Sequence, residues 1–204
     1  MHRIHAKISV AACAVALIAA IPRTAPADLV TFNGVALNQQ VKIHSAVRTQ
    51  RVKAGQLRIA CQGADHLAYC VDLTQYAGSG EVTETPITTL HNGDLVGWLY
   101  ETRASAVADS LDAVALQVAI WELLYESDDN AFDMTSGAFY VTQSDNAADA
   151  AQTLLDAAPA SYAPAGTTIA LLSDSKQDVM IPEPTALVLL SAGAIWAALR
   201  RRQK

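Results

Sequence analysis

Two apolar blocks at the ends of the chain confine its folded domain to the residues between them. One block runs from residue 8 to residue 21 and the other from residue 185 to residue 199. The intervening residues 28–181 contain seven Lys and Arg against 19 Asp and Glu, a formal net charge of −12. A body this acidic argues against binding to nucleic acid, which requires clustered positive charge. The 204 residues therefore predict one domain, residues 28–181, with a segment appended at each end.

The N-terminal segment has the three parts of a secretory signal peptide. Arg3 and Lys7 supply a basic start, the apolar block follows, and Ala25-Pro26-Ala27 supplies small residues for cleavage. We therefore assign residues 1–27 to a signal peptide. The mature chain is then expected outside the cytoplasm, in an oxidising compartment.

The C-terminal segment, residues 182–204, combines three elements in a fixed order. It begins with Pro182-Glu183-Pro184 and continues with the second apolar block. A helix over that block spans roughly 22 Å, which is shorter than the roughly 30 Å hydrocarbon core of a bilayer, so it is only marginally a transmembrane helix. The segment ends in a basic cluster, which favours the cytoplasmic side of a membrane and contains Arg200, Arg201 and Arg202.

These three elements together resemble the PEP-CTERM sorting signal. The resemblance implies a Gram-negative bacterium in which an exosortase-type processing enzyme removes the tail. The protein is then released or attached at the cell surface or in the extracellular matrix, commonly alongside exopolysaccharide. An ordinary single-span anchor is the alternative, and both interpretations place the body outside the cytoplasm.

The hydrophobic pattern of the body changes between strand-like and helix-like segments. Alternating apolar residues predict strands within 29–73, and further strands are predicted at 81–90, 137–143, 167–172 and 179–181. Apolar residues at spacings of three and four predict a helix over 109–126, capped by Asp109 or Ser110. A second, Ala-rich helix is predicted over 147–158. The expected fold is α+β, a β-rich domain with inserted helices.

Gln117 and Cys70 are each unusual in their predicted surroundings. Gln117 lies on the apolar stripe of the predicted helix, where an unpaired amide costs roughly 1–3 kcal/mol. Cys70 lies in an apolar strand of an exported chain, where thiols normally pair. A core Gln bonded to the backbone explains the first residue. A disulfide with Cys61 explains the second, because a hairpin turning at Asp65-His66 places the two cysteines opposite each other.

One reaction accounts for both residues together. A Cys thiolate can attack a Gln carboxamide, expel ammonia and leave an internal thioester. The Gln then no longer presents an amide that needs partners, and the Cys is protected from oxidation. The thioester resists hydrolysis in a dry pocket and reacts when a suitable nucleophile enters.

Two short motifs resemble those of the Cys–Gln thioester-forming domains of bacterial surface proteins. The first is Tyr69-Cys70-Val71-Asp72, and the second runs from Leu116 to Glu122 with the sequence LQVAIWE. The resemblance implies a β-rich barrel or sandwich with a helical insertion. It also implies roles for four residues: the thioester sulfur on Cys70, the acyl donor Gln117, and the pocket walls Tyr69 and Trp121.

The resemblance further implies covalent attachment in a single turnover, so we expect an adhesion protein that is not an enzyme and uses no metal or cofactor. An amine on a surface target, or a polyamine, attacks the acyl carbon of Gln117 and frees the Cys70 thiol. The acidic body is expected to attract cationic amines weakly.

Two other interpretations of Cys70 remain. One is a non-reactive structural protein of an exopolysaccharide matrix with a Cys61–Cys70 disulfide. The other is a Cys–His hydrolase, for which the sequence indicates no third orienting group; the candidate partners are His44, His66 and His91.

Overall fold

A computed structural model describes residues 28–127 and 132–183 of the chain. The strands are β1 (Asp28–Ser45), β2 (Thr49–Cys61), β3 (Ala64–Cys70), β4 (Gly80–Pro86), β5 (Phe139–Thr142), β6 (Thr168–Leu172) and β7 (Val179–Pro182). The α-helices are α1 (Gly93–Arg103), α2 (Ser110–Tyr125) and α3 (Asp145–Asp156), with short 3-10 helices at Ile87–Thr89 and Ala104–Ala106. The predicted α+β class is confirmed.

The strands form one large antiparallel sheet in the order β2-β3-β7-β6-β4-β1-β5, and β1 also pairs with β2. Strand β1 has three neighbours because it is 18 residues long. Its first residues, Asp28–Val30, pair with β4, its last residues, Lys42–Ser45, pair with β5, and β2 runs beside most of its length. Six strands therefore form a closed cycle of pairings, in the order β1, β2, β3, β7, β6, β4 and back to β1, and β5 is attached to β1 outside this cycle.

The close pairing of β1 with β2 depends on Gly55. Its φ of +131° belongs to glycine, and a Cβ atom there would lie 2.2 Å from the backbone oxygen of Leu37. The register between the two strands shifts on the β1 side between Val35 and Asn38, the partner of Gly55. A glycine is thus required where β2 turns towards the interior.

Helix α2 lies in the interior of the fold. Its N-terminus is capped by Asp109, whose carboxylate oxygen Oδ1 accepts hydrogen bonds from the backbone N–H groups of Leu111 (2.8 Å) and Asp112 (3.0 Å). Every residue from 113 to 123 is buried. The helix and its Asp109 cap were predicted correctly, but the single buried stripe was too narrow an expectation. Gln117, in the middle of α2, is consequently enclosed.

The hairpin between β2 and β3 turns at Gln62-Gly63, so the predicted turn at Asp65-His66 is wrong. Both turn residues have positive φ, 52° for Gln62 and 77° for Gly63. A tight two-residue hairpin loop favours positive φ at both positions, and a glycine supplies one of them without strain. Cys61 therefore pairs with Ala64, not with Cys70.

The C-terminal boundary of the domain lies slightly beyond residue 181. Pro182, the first residue of the predicted sorting motif, pairs with Thr168 as the last residue of β7. The backbone N–H of Glu183 donates to the backbone oxygen of Thr167 at 2.7 Å. Residues 1–27 and 184–204 lie outside the described residues, and with them the signal peptide, Pro184, the apolar tail and the arginine cluster. Of the helices described, none is long and apolar enough to cross a membrane.

Candidate functional site

The site is built where the end of β3 meets the middle of α2. Cys70 is the last residue of β3 and is 3 % exposed, while Gln117 on α2 is 1 % exposed. The Cys70 backbone N–H donates to Gln117 Oε1 at 2.9 Å, and Gln117 Nε2 donates to the Cys70 backbone oxygen at 2.8 Å. The fold thus brings together the two residues that the sequence motifs singled out, although they are 47 positions apart.

This double hydrogen bond satisfies the buried amide of Gln117 without any covalent bond. It therefore fits a core glutamine bonded to the backbone, and it also fits a carboxamide held beside a cysteine before reaction. The Cys70 N–H polarises the C=O of the carboxamide, because it donates to the oxygen on which negative charge develops when a nucleophile attacks. The arrangement thus gives the carbonyl oxygen of the Gln117 carboxamide a buried backbone donor.

The sulfur of Cys70 is surrounded by backbone groups of Asp72. Cys70 Sγ donates to the Asp72 backbone oxygen at 2.6 Å, and the Asp72 N–H points to the sulfur at 3.4 Å. Burial raises the pKa of the Cys70 thiol well above its ordinary value, and the Asp72 and Asp178 carboxylates raise it further. The thiol is therefore protonated at neutral pH.

The indole of Trp121 lies beside the same sulfur and lowers the pKa of the Cys70 thiol. Its ring N–H is buried and meets no partner at hydrogen-bond geometry within residues 28–127 and 132–183. An N–H group in this position is available to a sulfur that gains negative charge. Trp121 thus lies where the resemblance implied, next to Cys70 and Gln117.

A cavity of about 290 Å³ is lined by Cys70, Gln117 and Trp121 together. Apolar side chains form part of its wall, among them Leu57 and Leu73. The cavity thus reaches the buried residues Cys70 and Gln117. The cavity is also lined by three basic residues, Arg48, Arg51 and Lys53. The sequence motifs did not point to these three residues.

Tyr69 does not share this cavity. Successive residues of a strand face opposite sides, so Tyr69 points away from Cys70. It lines a separate cavity of about 560 Å³ with Gln56 and Tyr100, and its ring meets that of Tyr100 edge-on at 6.0 Å. Burial raises the pKa of Tyr69 to about 12. The expectation that Tyr69 walls the Cys70 pocket is therefore corrected.

The Cys61–Cys70 disulfide is not compatible with the register of the hairpin. Cys61 lies opposite Ala64, six residues before Cys70 along β3. At about 3.3 Å per residue the two cysteines are separated by about 20 Å, whereas a disulfide requires Cα atoms within about 7 Å. Both cysteines are free and buried.

None of the histidines in the described part of the chain lines the Cys70 cavity. His44 Nε2 is bonded to Thr142 Oγ1 at 3.0 Å, and His91 Nε2 to the backbone oxygen of Glu126 at 3.1 Å. His66 lines the other cavity, that of Tyr69. The geometry gives Cys70 no imidazole base from these three residues.

Comparison with protein-family models, with curated proteins and with solved structures finds no match to this chain.

Proposed function

We propose that this protein is exported and that Cys70 and Gln117 form an internal thioester, through which the chain attaches covalently to an amine on a target. The observation that carries the proposal is the pair of hydrogen bonds that hold the Gln117 carboxamide against Cys70 beside a cavity. The closed cycle of six strands, with α2 packed between the sheet and the other helices, supports the β-rich barrel or sandwich with inserted helices that the resemblance implies.

Thioester formation needs no reagent from outside. The Cys70 sulfur bonds to the side-chain carbonyl carbon of Gln117, the carbon–nitrogen bond breaks, and the thiol proton leaves with the nitrogen as ammonia. The Cys70 N–H stabilises the oxygen of the intermediate, since it already donates to Gln117 Oε1 at 2.9 Å.

In the attachment step the Cys70 sulfur is the leaving group, whereas in thioester formation it is the nucleophile. The amine nitrogen of the target bonds to the same carbon, the carbon–sulfur bond breaks, and a proton from the amine passes to the Cys70 sulfur. The N–H groups of Asp72 and Trp121 face that sulfur and stabilise it as the leaving group. The protein is consumed in one turnover and is not an enzyme.

The two terminal segments supply the location in this proposal. Residues 1–27 direct export, and residues 182–204 act as a PEP-CTERM-like signal that an exosortase-type enzyme processes. The apolar tail holds the chain in the inner membrane before processing. The mature domain then functions at the cell surface or in an extracellular matrix, together with exopolysaccharide.

A non-reactive matrix protein is the second candidate. It is favoured by the fact that the amide of Gln117 is already satisfied by the backbone of Cys70. In that case Gln117 only fixes α2 to β3, and no covalent change occurs at either residue.

Intact mass separates the two candidates. Relative to a Cys70→Ala variant, and after allowing for the substitution, the unmodified protein should be lighter by about 17 Da because ammonia has left. Methylamine should then add about 31 Da and expose one thiol. Cys61→Ala is the matched control, because Cys61 is buried but distant, and it should retain both changes. A protein with no mass deficit and no methylamine adduct is the non-reactive candidate.

A further inference from the structure

The cavity that leads to Cys70 and Gln117 has a basic lining in an acidic domain. Arg48, Arg51 and Lys53 line it, and they are three of the seven basic residues between positions 28 and 181. No Asp or Glu from the described ranges lines this cavity. The local charge is thus opposite to the −12 of residues 28–181.

The three basic side chains, which we call the basic rim, form no ion pair with a carboxylate of residues 28–127 or 132–183. Arg48 Nη2 donates to the backbone oxygen of Thr74 at 2.6 Å, and Arg51 Nη2 donates to Gln143 Oε1 at 2.8 Å. Lys53 has no side-chain partner in the described part of the molecule. Neutral acceptors therefore fix the two arginines while their charge remains available to a ligand.

The carboxylate of Asp72, two residues after Cys70, is already occupied. The side chain of Asp72 accepts from the N–H and hydroxyl of Thr74, both at 2.7 Å, and from the Gln75 N–H at 3.0 Å. Asp72 and Asp178 raise the pKa of Cys70, but neither lines the cavity. A ligand in the cavity thus meets the basic rim before it meets a carboxylate.

The depth of the acyl carbon restricts the shape of the nucleophile. Cys70 is 3 % and Gln117 1 % exposed, so an amine must pass through the cavity to reach them. The apolar wall at Leu57, Leu73 and Trp121 suits a chain of CH₂ groups. A lysine carries its amine on a slender four-carbon stem, whereas an amine fixed directly to a sugar ring is bulkier at its base.

We propose, on the basis of the thioester function proposed above, that the target is a lysine within an acidic peptide segment. The stem of the lysine lies along the apolar wall, and the carboxylates that flank it contact Arg48, Arg51 and Lys53. The lysine nitrogen bonds to the Gln117 carbonyl carbon, the bond to sulfur breaks, and an amine proton moves to Cys70 Sγ. This inference reverses the expectation from overall charge that cationic polyamines are favoured.

The test compares rates of adduct formation by intact mass for three blocked five-residue peptides, with a lysine flanked by glutamates, glutamines or lysines. Methylamine measures the intrinsic reactivity of each protein variant. At low salt the glutamate peptide should react about tenfold faster than the glutamine peptide and faster still than the lysine peptide. The difference should shrink in about 0.5 M salt, because salt screens the interaction.

Variants of the basic rim assign the preference to its residues. Arg51→Gln and Lys53→Gln should each reduce the ratio of the glutamate-peptide rate to the glutamine-peptide rate several-fold, and the two rates are compared within one variant so that any change in its intrinsic reactivity cancels. Arg58→Gln and Lys42→Gln remove the same charge from β2 and β1 outside the cavity lining, and they should change neither rate appreciably.

Each outcome decides between the two proposals. No mass deficit and no methylamine adduct would refute the thioester and this inference with it. Reaction with methylamine but equal rates for the three peptides would refute the acidic target alone. A preference for glutamate that survives both rim substitutions would refute the role of the rim. Faster reaction with an anionic amino sugar than with the glutamate peptide would replace the peptide target by a glycan.

Discussion

The buried carboxyl group of Glu122 makes the stability of this fold depend on pH. Glu122 lies on α2 next to Trp121 and is fully buried. Its Oε1 accepts from the Asp133 backbone N–H at 2.8 Å, but its Oε2 has no hydrogen-bond partner among the described residues. Burial raises the pKa of Glu122 to about 8; the charges of Glu126 and Asp133 add to the rise and the Asp133 N–H opposes it.

The effect has a defined direction and size. Below pH 4.5 Glu122 is protonated in both states and contributes no pH dependence. Between pH 4.5 and about 8 the unfolded chain has lost the proton and the folded chain keeps it, so stability falls as pH rises. At 1.36 kcal/mol per pKa unit, the rise from 4.5 to about 8 corresponds to a total loss of about 5 kcal/mol. Above about pH 8 this contribution stops changing.

The contribution of Glu122 to the pH dependence of stability can be measured by urea unfolding. The unmodified protein and the Glu122→Gln variant are each unfolded at pH 5.5 and at pH 8.5. The amide keeps the shape of the side chain and an acceptor for the Asp133 N–H. At each pH we take the difference in free energy of unfolding between the variant and the unmodified protein. This difference should favour the variant by roughly 2–4 kcal/mol more at pH 8.5 than at pH 5.5. Glu81→Gln, at an exposed position of β4, is the matched control and should show no such change. An equal difference at both pH values for Glu122→Gln would refute the reasoning.

Three further predictions concern the fold around the site. Asp109→Ala removes the cap of α2 and should lower the free energy of unfolding by about 1 kcal/mol in urea, and no change would contradict the cap. Gly55→Ala should lower the free energy of unfolding by more than about 2 kcal/mol, because the new Cβ meets the Leu37 backbone. Gly34→Ala is the control: it has φ +103° but nothing within 4 Å, and it should lower the free energy of unfolding by about 1 kcal/mol. Equal losses in the two variants would contradict a role for the close approach at Gly55. A phosphine reductant should leave the unfolding midpoint unchanged, because no disulfide joins Cys61 to Cys70, and a lower midpoint would indicate a disulfide.

The meeting of Cys70 with Gln117 was predictable because each residue conflicts with its local pattern. An amide on an apolar helix stripe and a thiol in an apolar exported strand both require a partner. Helix α2 was predictable for a local reason as well, since Asp109 is a cap at the start of a long apolar segment. Signals of this kind depend only on neighbours in sequence.

The hairpin register, the placement of Tyr69 and the basic rim depend on contacts between residues that are distant in sequence. The hairpin register is set by two left-handed residues, and Gln62, a non-glycine residue at φ 52°, gives no clear signal of such a turn. The opposite placement of Tyr69 follows from strand alternation once β3 is known to reach Cys70. The excess of basic residues between positions 42 and 58 was visible, but its convergence on one cavity requires the folded hairpin.

The most direct test of the account is digestion of the unreduced protein with pepsin at acidic pH, followed by mass spectrometry of the peptides. A thioester between the two residues predicts one cross-linked product that contains both Cys70 and Gln117 and is about 17 Da lighter than its two component peptides together. After treatment with methylamine this product should separate into a peptide with a free Cys70 thiol and a peptide with methylated Gln117. Two separate peptides in the untreated protein, with a free thiol and an unchanged carboxamide, would contradict it.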